Sequence, residues 1–144
     1  MTVAKLLLVD DETAFLEAMT RRLKKRNFEV FTATSGMEAL EVLSENGERV
    51  EVVILDVKMP GMDGIETLSE IKRKFPLIEV VMLTGHATVA SAIDGMKQGA
   101  YDYLMKPCDV NVLVGKVNEA ADKKRRHEEK IIEARMKEIT TRRP

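Results

Sequence analysis

Cysteine is nearly absent. Cys108 stands alone, which excludes an internal disulfide framework and any multi-cysteine zinc site. There is no tryptophan, and aromatic residues make up only 4% of the chain. That is too few for the stacking platforms that bind single-stranded nucleic acid, so no direct nucleic-acid binding is expected. No apolar run approaches the roughly 18 residues that span a bilayer. The opening residues Met1-Thr2-Val3-Ala4-Lys5 lack the cleavage site and flanks of a signal peptide, which makes the cytoplasm the default location and a membrane partner unexpected. Internal repeats and low-complexity stretches are also missing.

What is present fits one globular unit with an appendage. The chain has 144 residues, 44% hydrophobic and 33% charged, with a net charge of −1. A chain of this size buries roughly two-thirds of its unfolded surface, enough for a proper core. The near-neutral balance hides a split. Residues 1–118 carry 14 basic against 18 acidic groups, a net −4, while residues 119–144 carry 9 against 6, a net +3. Apolar density drops at the same place. The boundary is therefore set near residue 120, with a globular domain over 1–120 and a charged helical tail over 121–144.

Apolar residues alternate between two kinds of run. Leu6-Leu7-Leu8-Val9, Val52-Val53-Ile54-Leu55 and Val80-Val81-Met82-Leu83 are continuous, as strands buried on both faces should be. Phe28–Ala33 and Tyr101–Met105 read as two further strands. Between them lie helical patterns. Residues 13–26 place Phe15, Met19 and Leu23 on one face. Ser35 caps the next helix, with Glu38 as its capping-box partner. A third passes through Ile65, Leu68 and Ile71 and stops before Pro76. Residues 88–98 form a weaker helix because Gly95 lies inside it, and Asp109 caps the last. Strands alternating with helices predict right-handed βαβ units and a parallel sheet.

The polar residues that matter stand where strands stop. The first strand ends in Asp10-Asp11-Glu12, the third in Asp56, the fourth in Thr84 and the fifth in Lys106. In an open parallel sheet these ends converge on one crevice. Carboxylates gathered there repel, by about 4 kcal/mol for a pair 4 Å apart at an effective dielectric of 20. Mg²⁺ is the natural remedy, since it takes oxygen ligands and combines one or two carboxylates with phosphate oxygens. An aspartate beside a divalent cation and a lysine is equipped to accept a phosphoryl group as a covalent nucleophile. A threonine hydroxyl can then donate to a phosphoryl oxygen.

This set of residues resembles the response-regulator receiver domain of two-component signalling. The resemblance rests on Asp10-Asp11, Asp56, Thr84, Tyr103, Lys106-Pro107 and the loop Met59-Pro60-Gly61-Met62-Asp63-Gly64, and covers about residues 4–120. The stretch from Leu83 to Asp109 looks most like receivers of sigma-54-dependent activators. The resemblance implies a flavodoxin-like, doubly wound α/β fold with a five-stranded sheet in the order 2-1-3-4-5, continued by an extended C-terminal helix. It implies that Asp56 takes a phosphoryl group from a sensor histidine kinase. It assigns Mg²⁺ to Asp10, Asp11, Asp56 and the backbone carbonyl of Lys58, and a switch to Thr84 and Tyr103. Lys106 would pair with the phosphoryl group, and its bond to Pro107 would be cis. Lys58 and His86 would tune how long the phosphoryl group survives. The output surface would be the fourth helix, fifth strand and fifth helix, and the chain would catalyse only its own phosphorylation and dephosphorylation.

Plainer readings stand beside these. Tyr103 can be a packing residue, His86 a solvated loop residue, His127 an inert tail residue and Cys108 a small buried apolar group. A phosphatase of the haloacid dehalogenase type also combines an aspartate nucleophile with Mg²⁺, but needs an acid two residues after it, where this chain has Lys58. A flavin-binding module of similar topology would meet phosphate repulsion in the acidic crevice.

The tail carries Lys123-Lys124-Arg125-Arg126, which reads as a solvated helix face. Val117, Ala121, Ile132, Met136 and Ile139 form an incomplete heptad seam. A helix this polar is marginal alone, so the expectation is a continuation of the last helix that pairs with its copy in a homodimer.

Overall fold

The computed structural model describes residues 4–141. In chain order the elements are β1 (Lys5–Val9), α1 (Thr13–Lys24), β2 (Glu29–Ala33), α2 (Gly36–Asn46), β3 (Val52–Leu55), α3 (Gly64–Lys74), β4 (Glu79–Thr84), α4 (Val89–Lys97), β5 (Asp102–Met105) and α5 (Val110–Thr141). A single 3₁₀ turn, Gly47–Arg49, follows α2. All pairings are parallel, and the strand order is β2-β1-β3-β4-β5. This is the flavodoxin-like sheet expected above.

Two cores cover the sheet, and side-chain alternation sorts residues between them. Leu6, Leu8, Val52, Ile54, Val81 and Leu83 pack with α1 and α5. Leu7, Val9, Val53, Leu55, Val80 and Met82 pack with α2 and α3. Because each central strand feeds both cores, its run carries no polar break. On α1 the buried residues are Leu16, Met19 and Leu23. Phe15, at the end of the helix nearer the acidic strand ends, is half-buried and packs against the same core as expected, with Leu16 joining the buried face.

The caps explain where helices begin. Ser35 accepts from the Glu38 amide, but the Glu38 carboxylate accepts from the Thr34 hydroxyl instead of closing the box. Asp63 caps α3 through the Glu66 amide. Asp109 accepts from the Asn111 amide at the start of α5. Thr88 and Ser91 form a complete capping box on α4. Gly95 is the buried residue of α4 and faces Tyr103 and Ile65.

The loop after β3 doubles back tightly. The Gly64 amide donates to the Val57 carbonyl at 2.7 Å. A Cβ on Gly64 would stand 1.9 Å from the Asp56 carbonyl oxygen and 2.6 Å from the Val57 Cα. Only glycine lets α3 start this close to the backbone that carries Asp56.

Helix α5 runs unbroken through residue 120. Leu113, Val117, Ala120, Ala121 and Lys124 are buried; from Glu129 to Thr140 every residue is exposed. The basic run is not wholly solvated, contrary to the expectation. Arg125 pairs with Glu51 at 2.7 Å and Lys123 with the buried Glu79 at 3.6 Å. Lys124, 4% exposed, pairs with Glu128 at 3.1 Å. The acids at the amino ends of β3 and β4 thus draw the first part of the tail against the body, a contact that no local pattern announces.

Candidate functional site

The strand ladders carry one residue beyond the strands and so place the polar ends. The Asp10 amide donates to the Ala33 carbonyl at 3.1 Å, and the Asp56 amide to the Val9 carbonyl at 3.1 Å. The Lys106 amide donates to the Thr84 carbonyl at 2.9 Å. Val9 pairs with Leu55, so Asp10 and Asp56 stand level. Leu55 pairs with Met82 and Thr84 with Met105, so Lys106 stands two residues further along, and its side chain meets Asp10. Alternation carried one step further puts Asp10, Asp56 and Lys106 on the α1 side of the sheet. Thr84 and Tyr103 fall on the other side, with α3 and α4.

Carboxylate oxygens of Asp10, Asp11 and Asp56 lie within 4.8 Å of one another. Asp10 and Asp56 are almost wholly buried, at 1% and 2% exposed, while Asp11 is exposed. The Lys106 ammonium donates to Asp10 Oδ2 at 2.5 Å and stands 4.0 Å from Asp56 Oδ2 and 3.8 Å from Glu12 Oε1. Burial pushes the Asp10 carboxyl above its usual range, the hydrogen bonds from Lys106 and the Glu12 amide oppose this, and the Asp56 charge adds to the rise. Both oxygens of Asp10 are engaged, Oδ1 by the Glu12 amide and Oδ2 by Lys106, while Asp56 Oδ1 accepts from the Val57 amide. Three hard oxygen donors with a single nearby ammonium suit a hard divalent cation such as Mg²⁺.

Thr84 is fully buried, and its hydroxyl oxygen accepts from the His86 amide at 3.0 Å. The side chains of Lys58 and His86 are exposed and line one cleft of about 450 Å³ with Asp63 and Thr88. Tyr103 is half-buried, its hydroxyl 2.7 Å from Ser91 Oγ. The Lys106–Pro107 peptide bond is cis. Cys108 is half-buried on the edge of the α1–α5 core, and burial pushes its thiol up, as suits an inert packing residue.

Two residues of the site escape a reading of the sequence. Phe15 has the spacing of the apolar face of α1 and packs on its core, and the Lys106 ammonium also sits 4.0 Å from its ring centroid. Ser91 both closes the α4 capping box and meets the Tyr103 hydroxyl. Its signal was available in part, as a serine three residues after Thr88, but its partner on β5 depends on tertiary packing.

Comparison with known proteins agrees with this geometry. The family model described as the response regulator receiver domain matches residues 6–118. The transcriptional regulatory protein GlrR of Escherichia coli is 38% identical over 119 residues, 83% of this chain and 26% of that protein. The DNA-binding transcriptional regulator NtrC of Escherichia coli is 34% identical over 113 residues, 78% of this chain and 24% of that one. The chain thus spans about a quarter of the length of these curated relatives. Among solved structures, a response regulator receiver domain protein from Clostridium thermocellum superposes with a TM-score of 0.81 at 40% identity, covering 85% of this chain and 97% of that one.

Proposed function

The chain belongs to the response-regulator receiver family, and from that premise we propose that Asp56 is its phosphoacceptor, serving a sensor histidine kinase. One observation carries the reading: a carboxylate at the end of β3, 2% exposed, within 4.8 Å of two further carboxylates and 4.0 Å from an ammonium. An Asp56 oxygen attacks phosphorus, an O–P bond forms, and the P–N bond of the donor phosphohistidine breaks with its electron pair returning to the imidazole. Lys106 neutralises charge on the transferring oxygens. Asp10, Asp11, Asp56 and the Lys58 carbonyl would hold Mg²⁺, which when bound shields the acceptor from its neighbours and draws in phosphoryl oxygens. The product is the chain itself in phosphorylated form, so no separate substrate is turned over. Incubation with a kinase phosphohistidine, followed by mass spectrometry, tests this: one phosphoryl group on Asp56 and no multiple turnover of an aryl phosphate are expected.

The switch in this reading is a shift of populations. Phosphoryl oxygens draw the Thr84 hydroxyl from its contact with the His86 amide, and Tyr103 leaves Ser91 for the space that opens. Moving the balance from 1:99 to 99:1 requires the phosphoryl group to favour the second state by about 5.5 kcal/mol. The readout would be the surface of α4, β5 and α5, where Val89, Ile93, Met96, Met105 and Val112 are exposed.

Lys58 lies outside the buried cluster but shares the cleft with His86. Its ammonium would shield the phosphoryl group from water. Lys58→Ala is expected to shorten the phosphorylated lifetime by roughly threefold, within the range of a surface charge effect, measured as the decay of the phosphorylated form.

We further propose that the tail pairs with its copy. Ile131, Ile132, Met136 and Ile139 are exposed by 39–60%, and they continue the helix face that Val117 and Ala121 bury against the sheet. Replacing Ile132, Met136 and Ile139 together with glutamine is expected to convert dimer to monomer by light scattering, with the receiver core still folded. An unchanged mass would remove the tail from the interface. Comparing the mass with and without beryllofluoride, which mimics the phosphoryl group on Asp56, shows whether phosphorylation controls assembly or only rearranges it.

A further inference from the structure

Asp10 presents Lys106 with a partner that the proposed function takes away. At rest the ammonium bonds Asp10 Oδ2 at 2.5 Å. A cation held by the acidic cluster would engage that same carboxylate, and the lysine would then turn to the group on Asp56, whose Oδ2 stands 4.0 Å from the ammonium. A lysine side chain with four rotatable bonds released from its partner loses its direction. Glu12 is a poor substitute, because it is 64% exposed and its oxygen stands 3.8 Å away. The Phe15 ring is different. It lies 4.0 Å from Lys106 Nζ, centroid to nitrogen, and Lys106 itself is only 15% exposed.

We propose that Phe15 is a positioning residue for Lys106, whose ring face holds the ammonium over the acceptor while its carboxylate partners change. The attraction between a cation and an aromatic face is electrostatic and strengthens where water is excluded. It requires no hydrogen-bond acceptor, so it does not compete with a cation for carboxylate oxygens or with the phosphoryl group for the lysine's protons. It also tolerates small lateral movement of the ammonium, which suits a residue that passes from Asp10 to a group on Asp56. Phe15 packs on the edge of the α1–α5 core beside Leu16 and Met19 and presents its ring face to the lysine.

This inference rests on the acceptor reading of Asp56, and the test separates the two. Phe15 is replaced in the full chain by phenylalanine analogues carrying one, two and three fluorines, which weaken the ring's negative face with little change of shape. Affinity for beryllofluoride is measured by titration in the presence of Mg²⁺. In the metal-free protein, NMR follows the Lys106 ε-methylene protons, which the ring shifts upfield. The expected result is a stepwise loss of affinity that reaches about tenfold across the series, at unchanged Tm, with Phe15→Tyr near the parent and Phe15→Leu at the low end. The upfield shift is lost in Phe15→Leu and retained in Phe15→Tyr. Equal affinity across the series, with the parent binding normally, overturns the role of Phe15 and leaves the acceptor reading intact. A parent protein that does not bind beryllofluoride overturns both.

Discussion

Asp56→Asn is expected to take up no phosphoryl group at position 56, from a kinase or from a small phosphodonor, and to gain stability at the same time. The amide is isosteric, so the loop that follows β3 keeps its course, and its carbonyl oxygen can still accept from the Val57 amide. The nucleophile, however, is gone, because an uncharged amide oxygen does not attack phosphorus under these conditions. The gain in stability follows from the charges around it. Asp56 faces two carboxylates within 4.8 Å and one ammonium at 4.0 Å. Removing its charge cancels two repulsions and one attraction of similar size, and leaves Lys106 to Asp10. A net gain of about 1 kcal/mol is reasonable for a cluster partly open to water through Asp11. Thermal denaturation without Mg²⁺ should show the higher Tm, and addition of Mg²⁺ should narrow the difference, because the cation relieves the parent's repulsion and finds fewer ligands in the variant. A variant less stable than the parent in metal-free buffer would mean that the acids do not repel as the geometry requires.

Gly64→Ala should be the most damaging single methyl in the molecule. The added carbon would fall 1.9 Å from the Asp56 carbonyl oxygen and 2.6 Å from the Val57 Cα. Both are backbone atoms, so neither can swing aside as a side chain would. Either the start of α3 retreats or the backbone of residues 56–57 shifts. The first breaks the bond from the Gly64 amide to the Val57 carbonyl; the second moves the acceptor. The cost is expected to be about 3 kcal/mol, at the upper end for overpacking, read as a lower urea midpoint at unchanged slope. Beryllofluoride affinity should fall with it. Gly61 offers a control. It has a φ of 74° but nothing within 4 Å of a built Cβ, so Gly61→Ala carries only the cost of its left-handed backbone, about 1 kcal/mol. Similar losses at the two positions would show that the close approach at Gly64 is not the determinant.

These two glycines also mark what could and could not be read in advance. The strand ends were legible because each continuous apolar run stops at a polar residue, and the parallel arrangement of the strands then brings Asp10, Asp56, Thr84 and Lys106 to one edge. Ser35, Asp63 and Asp109 act within three residues of themselves, so capping and turn patterns point to them. Gly64 sits in a loop whose glycine signals a turn, but not that a neighbouring strand end leaves no room for a methyl group. Phe15 has the right spacing for the core of α1, and only its position at the end of the helix, opposite a lysine 91 residues further along the chain, gives it another partner. The pairing of Glu51 with Arg125, 74 residues apart, is hidden for the same reason. Periodicity reports which face of an element is apolar; it does not report which charge on a distant element that face will meet.

The continuity of α5 gives the molecule mechanical gain. Beyond Ala121 the helix reaches a further ~30 Å without a break, and its root is clamped by Glu51 and Glu79. A tilt of about 10° at that root would carry the far end through roughly 5 Å, about half the usual 8–10 Å separation of packed helices. Movements at the sheet too small to alter the receiver's own packing would therefore become a change of partner contacts at the tip. The same stiffness makes the tip sensitive to angular phase. Adding one residue after Ala121 turns everything beyond it by about 100°, whereas adding seven restores the facing to within about 20°. A ladder of such insertions should accordingly give a periodic output, with the insertion of seven near the parent and the insertions of one or two far from it.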